Sequence, residues 1–181
     1  MEKKEIVNKF FPYFLILTAV LLRMIPHPAN FAPITALALF GGVYLSKKTA
    51  ILIPLVALAI SDYFLGYYNL GVMFSVWGSF ILVGLIGLFI RKRKSTGKII
   101  IGTLSGSILF FLITNFAVWF ISNWYEKTFS GLGRCFYLAL PFFRNSLLGD
   151  LFYVGVFFGT YELVLYLNRG KEKGLIKVKN E

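Results

Sequence analysis

The sequence predicts an all-α integral membrane protein: a single bundle of six transmembrane helices over residues 1–168, both termini cytoplasmic, with a charged cytoplasmic tail at 169–181. Three observations carry that prediction. The 181 residues are 57% apolar and only 15% charged, with a mean hydropathy of +0.73, which is more apolar surface than a soluble domain of this length can bury. The apolar residues fall into six runs separated by short polar breaks. The basic residues, which give a net charge of +11, gather in clusters between alternate runs.

The first run, Phe10–Ile25, follows a basic start in the manner of a signal peptide. The residues after its core, Arg23-Met24-Ile25-Pro26, lack a small-x-small cleavage pattern, so it reads as an uncleaved first span. The second, Phe31–Leu45, has Pro33 in its first turn, where a missing N–H costs nothing. The third, Thr49–Leu65, is joined to it only by Ser46-Lys47-Lys48, and a re-entrant hairpin is the alternative for this pair. The fourth and fifth are Leu70–Ile90 and Lys98–Ser122, and the sixth is Asn145–Leu167. Residues 123–144, too long for a turn and too aromatic for a free linker, are expected to lie as a loop against the outer mouth. Trp119, Trp124 and Tyr125 fall where an interfacial aromatic belt belongs. Gly102-x-x-x-Gly106 and Gly155-x-x-x-Gly159 would allow close helix approach.

Charge tests the count independently of hydropathy. With the N-terminus inside, six spans put both termini and the turns at 46–48 and 91–98 on one side, and those segments hold 15 of the 19 Lys and Arg residues, the asymmetry that sets orientation. Only Arg23, Lys127, Arg134 and Arg144 remain outside. The basic balance therefore reads as topology. A nucleic-acid partner is not expected, because no polar stretch is long enough to fold into a basic face. Cys135 is the only cysteine, so an internal disulfide is impossible. No catalytic motif, metal-ligand pair or nucleotide-binding loop is present, and neither enzyme activity nor a resident cofactor or metal is expected.

Under this topology the unusual polar residues share one level, near the outside. Arg23, His27 and Asn30 fall in the first outer break, Asp62 at the outer end of the third run, Asn115 in the outer half of the fifth, and Arg144, Asn145 and Asp150 around the outer start of the sixth. Ionisable groups in spans cost about 2.5–3.5 kcal/mol on insertion scales and usually face protein or a water-filled cavity. These eight residues are the candidate substrate-binding set. Arg23 and Arg144 would hold an anionic group, the asparagines would fix orientation, and the aspartates would position the arginines or bind ligand amines. The N-terminus of the short second span adds its dipole to the case for an anionic ligand. Plainer readings stand beside these: the arginines snorkel to headgroups, Arg–Asp pairs tie helices together, and His27 only fixes its loop.

The motifs R-x-x-P-H-P-x-N-F-x-P-x-x-A-L-A-L-F-G-G at 23–42, S-D at 61–62, T-N-F-x-V-W at 114–119 and G-L-x-x-C-F-x-x-A-L-P-F-F-x-N-x-x-x-G-D at 131–150 resemble a family of small, uncharacterised bacterial membrane proteins. In length, span count and outward polar mouth the chain also resembles the S components of energy-coupling-factor vitamin transporters. That resemblance implies a vitamin-like or cofactor-precursor ligand taken from outside, a bacterial inner-membrane location, and an energising transmembrane subunit with ATPases as partner. S components dock through an A-x-x-x-A pattern in the first span, whereas here Ala32-x-x-x-Ala36 lies in the second. Among S-like proteins that act alone, a corrinoid carrier would use His27 or Cys135 as cobalt ligand. The expectation is thus a substrate-binding and uptake protein. The alternatives are a structural or assembly protein whose polar cluster is a salt-bridge lock and, third, a membrane-embedded enzyme using Asp62 and Asp150 as a carboxylate pair. A cavity of at least about 300 Å³ lined by these residues would favour binding; tight Arg–Asp pairs with no void would favour the lock.

Overall fold

The computed structural model describes residues 10, 13–14, 17–23, 25 and 28–179, with side chains described through 168. Among them every regular element is a helix: α1, described over 17–23, then α2 (Ile34–Tyr44), α3 (Lys47–Leu65), α4 (Leu70–Arg91), α5 (Thr96–Ile121) and α6 (Phe129–Lys179). Helices α3 to α6 are long and apolar enough to cross a membrane, and by that measure the chain is a membrane protein. The 11-residue α2 is not, since it rises only about 16 Å against a hydrocarbon core of about 30 Å.

α2 is instead the centre of the bundle. Residues Ile34 to Val43 are all buried, and the helix packs against α3, α4, α5 and α6. A helix apolar on every side belongs inside. Because lipid is as apolar as leucine, the packing must rest on close contact more than on water exclusion. The closest contact is α2 on α4. A Cβ added to Gly42 would fall against the Gly84 carbonyl and 2.7 Å from Gly87 Cα; one added to Gly87 would lie 2.5 Å from the Leu39 carbonyl. On its other side Phe40 meets Phe158 and Tyr161 edge-on, with ring centroids 5.3 and 5.5 Å apart, a geometry worth about 0.5–1.5 kcal/mol per pair beyond burial.

Local chemistry sets the helix ends. Ser46 Oγ accepts from Thr49 N–H, Asn69 Oδ1 from Gly71 and Val72 N–H, and Ser95 Oγ from Lys98 N–H, each an N-cap that satisfies orphan donors. Gly66 ends α3 with φ +98° and bonds its N–H to the Asp62 carbonyl at 3.0 Å, a conformation glycine adopts without a Cβ penalty. The C-terminus of α2 is closed from α4, where Arg91 donates Nε to the Val43 carbonyl at 3.1 Å and Nη2 to that of Leu45. Within α3, buried Pro54 lacks the N–H that would bond Ala50. The Ala50 carbonyl faces Gly41 and Gly84.

Two expectations are corrected. Residues 129–144 are not a loop but the first part of α6, and the predicted start of the sixth span at Asn145 lies well inside that helix. Pro141 lies inside this helix, and the first part of the helix is held by packing against α5. Phe111 of α5 contacts Phe136 and Phe143 with ring centroids 5.5 and 4.6 Å apart, and the Cys135 thiol donates to the Asn115 carbonyl at 3.4 Å. The connection shrinks to 122–128, where Trp119 Nε1 donates to the Glu126 carbonyl at 2.8 Å. The second correction concerns Gly155 and Gly159: among the described residues nothing of another element lies within 4 Å of a Cβ added at either, while Cβ atoms added at Gly102 and Gly106 would press on Ile90 and Val83 of α4. Helical backbone also continues past Asn168 to Lys179.

Candidate functional site

Because α2 is half-length, the chain before it enters the bundle as irregular backbone at a depth where such backbone needs protein or a cavity beside it. Residues 28–31 form a turn closed by Phe31 N–H to the Pro28 carbonyl at 2.9 Å. Asn30 takes φ +63°, which asparagine tolerates better than other non-glycine residues. Asn145 of α6 pins this turn by donating Nδ2 to the Ala29 carbonyl at 3.1 Å. Beneath it lies a cavity of about 270 Å³. Arg23, Asn30, Tyr68 and Thr35 line it, as do Ser146 and Asp150 of α6, with Val76, Phe80 and Phe110 as its apolar wall. The rings of Phe80 and Phe110 are stacked, 5.1 Å apart. A second cavity of about 210 Å³ adjoins it, sharing Asn30, Val76, Phe110 and Ser146 and adding Thr114 and Asn115.

The two carboxylates have different company. Asp62 is 1% exposed and fully engaged: Arg23 Nη2 donates to its Oδ1 at 2.8 Å and Trp77 Nε1 to its Oδ2 at 3.0 Å. Arg23 also donates to Ser61 Oγ, whose own hydroxyl lies 2.8 Å from the Ala57 carbonyl. Asp150 is 3% exposed, yet among the described residues no cation pairs with it; the ion pairs there are Arg23–Asp62 and Lys94–Glu162. Its Oδ2 accepts from Ser107 Oγ at 2.6 Å, and the Thr35 hydroxyl bonds it as well. Thr35 is in the first turn of α2, so Asp150 also sits at the positive end of that helix dipole. About 18 Å of helical rise separates Asp150 from Glu162 at the basic end of the bundle. The floor of the cavity is therefore near the middle of a bilayer-thick bundle.

Of the eight sequence candidates, Arg23, Asn30 and Asp150 line the larger cavity and Asn115 the smaller. Asn115 donates Nδ2 back to the Phe111 carbonyl at 2.8 Å. Asp62 is held behind Arg23, and Asn145 holds the turn above. Arg144 is exposed and lines neither cavity, so it does not stand opposite Arg23 as a second anion clamp. His27 lies outside the described residues. Cys135 is buried against α5, away from both cavities. Among the described residues Asp62 and Asp150 share no hydrogen-bond partner.

Sequence reading missed Thr35, Ser107 and Ser146, because hydroxyls are routine in membrane helices and only the fold aims these at Asp150 and the cavity. It also missed Trp77 and Tyr68. Burial, then the Asp62 carboxylate, pushes the Tyr68 hydroxyl up to about 12, with Arg23 pulling the other way. Tyr68 is thus a neutral donor at the cavity rim at physiological pH. The larger cavity presents polar groups of Arg23, Asn30, Tyr68, Ser146 and Asp150 opposite the apolar faces of Phe80 and Phe110.

A protein family described as a family of unknown function, DUF6580, matches residues 3–172. No curated protein and no solved structure matches the chain.

Proposed function

The chain belongs to the family of unknown function DUF6580, and from that premise we propose that it is a membrane substrate-binding and uptake protein for a vitamin-like or cofactor-precursor small molecule. In this reading the bundle has six spans, α2 being the short one, and resembles an S component. Both termini and the basic turns face the cytoplasm of a bacterial cell, and the cavity under the 28–31 turn opens outward. Energy for uptake would come from a partner, an energising transmembrane subunit with ATPases.

One observation supports the reading above all: a buried carboxylate, Asp150, borders a cavity while no described cation pairs with it. Burying an unpaired carboxylate is costly, and such a cost is typical of a group kept for a ligand. The sequence alone favoured an anionic ligand. In the folded chain Arg23 has Asp62, and the α2 N-terminus has Asp150. The proposed ligand therefore brings an amine or other donor to Asp150.

The test is mass spectrometry of small molecules retained by protein purified in mild detergent. Wild type is expected to retain a donor-bearing compound that Asp150→Asn loses by at least about tenfold, the worth of one hydrogen bond to a charged group, while staying as thermally stable as wild type. Equal retention by a folded Asp150→Asn protein would reject the proposal. A second reading, a structural protein with a polar lock, is favoured by the closed Arg23–Ser61–Asp62–Trp77 set and by a cavity slightly under the usual ligand range of about 300–1,000 Å³. It predicts no retained compound in wild type.

A further inference from the structure

The bundle carries a larger depression at its opposite, basic end. A groove of about 500 Å³ runs between α4 and α5, separate from the cavities around Asp150. Its walls are Ile86, Phe89 and Ile90 on α4 and Ile101 on α5, with Gly102 and Ser105 on the same α5 side. Phe89 and Ile101 are 80% and 64% exposed, so the groove is open along the face that a bilayer would cover. It exists because small residues bring α5 close to α4: a Cβ on Gly102 would collide with Ile90 Cδ1.

At its rim stand Lys92, Arg93 and Lys98. The neighbouring basic residues of the same turn are committed elsewhere, Arg91 to the carbonyls of Val43 and Leu45 and Lys94 to Glu162. Among the described residues no carboxylate pairs with Lys92, Arg93 or Lys98, and no acidic residue lines the groove. Helix α5 begins at this rim, adding the positive end of its dipole. From Lys92 to Ile86, and from Lys98 to Ser105, the groove reaches about 10 Å along the helices, the depth of the upper part of an acyl chain hanging from an interfacial phosphate.

We propose that this groove binds one anionic phospholipid of the leaflet at the basic end, its phosphate held by Lys92, Arg93 and Lys98 and an acyl chain lying against Phe89, Ile101 and Ser105. Charge complementarity selects the occupant. An apolar wall with an uncompensated cationic rim at interfacial depth matches an acidic lipid, whereas a zwitterionic lipid brings its own cation to a place already positive. The site goes beyond small-molecule uptake and stands or falls separately from it.

The experiment is native mass spectrometry of protein released from nanodiscs of phosphatidylcholine containing one part in five phosphatidylglycerol. Wild type is expected to carry a phosphatidylglycerol adduct well above its share of the mixture. Each cation neutralised should weaken retention about fivefold, and Lys92→Gln/Arg93→Gln/Lys98→Gln together on the order of a hundredfold. Ser105→Trp, which fills the groove and leaves every charge in place, should also lose the adduct. Lys47→Gln/Lys48→Gln, which removes two charges from the same end outside the groove, should keep it. The proposal is overturned if the triple variant, with wild-type thermal stability, retains as much phosphatidylglycerol as wild type, or if the Lys47/Lys48 variant loses as much as the triple one. It is overturned equally if Ser105→Trp leaves retention unchanged, since the groove itself would then be irrelevant.

Discussion

Replacing Gly42 by alanine puts one methyl group into the tightest crossing in the bundle. Its Cβ would fall against the Gly84 carbonyl oxygen and within 2.7 and 2.9 Å of Gly87 Cα and C. All three atoms are backbone, so no rotamer change relieves the clash, and α2 and α4 must separate by roughly 1 Å to restore ordinary contact near 3.5 Å. Overpacking a well-filled core typically costs about 1–3 kcal/mol, and a rigid backbone neighbour argues for the upper end. Alanine recovers about 1 kcal/mol of helix propensity. The net expectation for Gly42→Ala is a loss of about 2 kcal/mol, or about 4–8 °C in Tm for a chain of this size. Gly155→Ala serves as control, because nothing lies within 4 Å of that added Cβ; propensity alone then predicts an unchanged or slightly higher Tm. Thermal unfolding of both variants and wild type in one detergent, followed by tryptophan fluorescence, reads the difference. The account of α2 packing would be refuted by a Gly42→Ala protein as stable as wild type, or by a Gly155→Ala protein that loses as much as Gly42→Ala.

Arg23→Ala strands Asp62 with only the Trp77 indole and should cost about 3–5 kcal/mol. The Arg23→Ala/Asp62→Ala double variant should recover a large part of that, and a double-mutant cycle with no coupling would contradict the pairing. Arg91→Ala removes two charge-assisted bonds from the C-terminus of α2 and should lower stability by about 1.5–3 kcal/mol, measured as a drop in Tm beside an unchanged Lys48→Ala control. The Lys94–Glu162 pair is 35% and 48% exposed, so Glu162→Gln should change stability by less than about 1 kcal/mol, and that small effect should shrink further in high salt.

Much of the fold was legible because its determinants are local. The reading Leu70–Ile90 differs by one residue from α4, Leu70–Arg91, and Thr49–Leu65 by two from α3, Lys47–Leu65. Apolar run length and the capping residues Ser46, Asn69 and Ser95 act within a few residues of themselves. The sequence reading put the rare polar residues at one level by counting residues along each helix; of the eight, Arg23, Asn30 and Asp150 border the cavity beneath the 28–31 turn. What they face was not legible. Arg23 was read with Arg144 as an anion clamp, but its guanidinium turns to Ser61 and Asp62 while Arg144 stays on the surface.

The amino-acid sequence by itself determined that this is a helical membrane protein, where α3, α4 and α5 begin and end to within two residues, and which end collects the positive charge; it did not locate the start of α6. Hydropathy, capping and charge bias are properties of short segments and survive without knowledge of neighbours. Tertiary structure alone decided which faces meet. In a lipid-embedded helix every face is apolar, so no periodic stripe marks the inside as it does in water. Gly155-x-x-x-Gly159 and the Gly42, Gly84 and Gly87 set therefore look alike in the chain, yet among the described residues only the second meets another helix closely. The same physics let α6 run through Pro141, buried α2 at half the length of a span, and left beside Asp150 the cavity that the shortened helix opens.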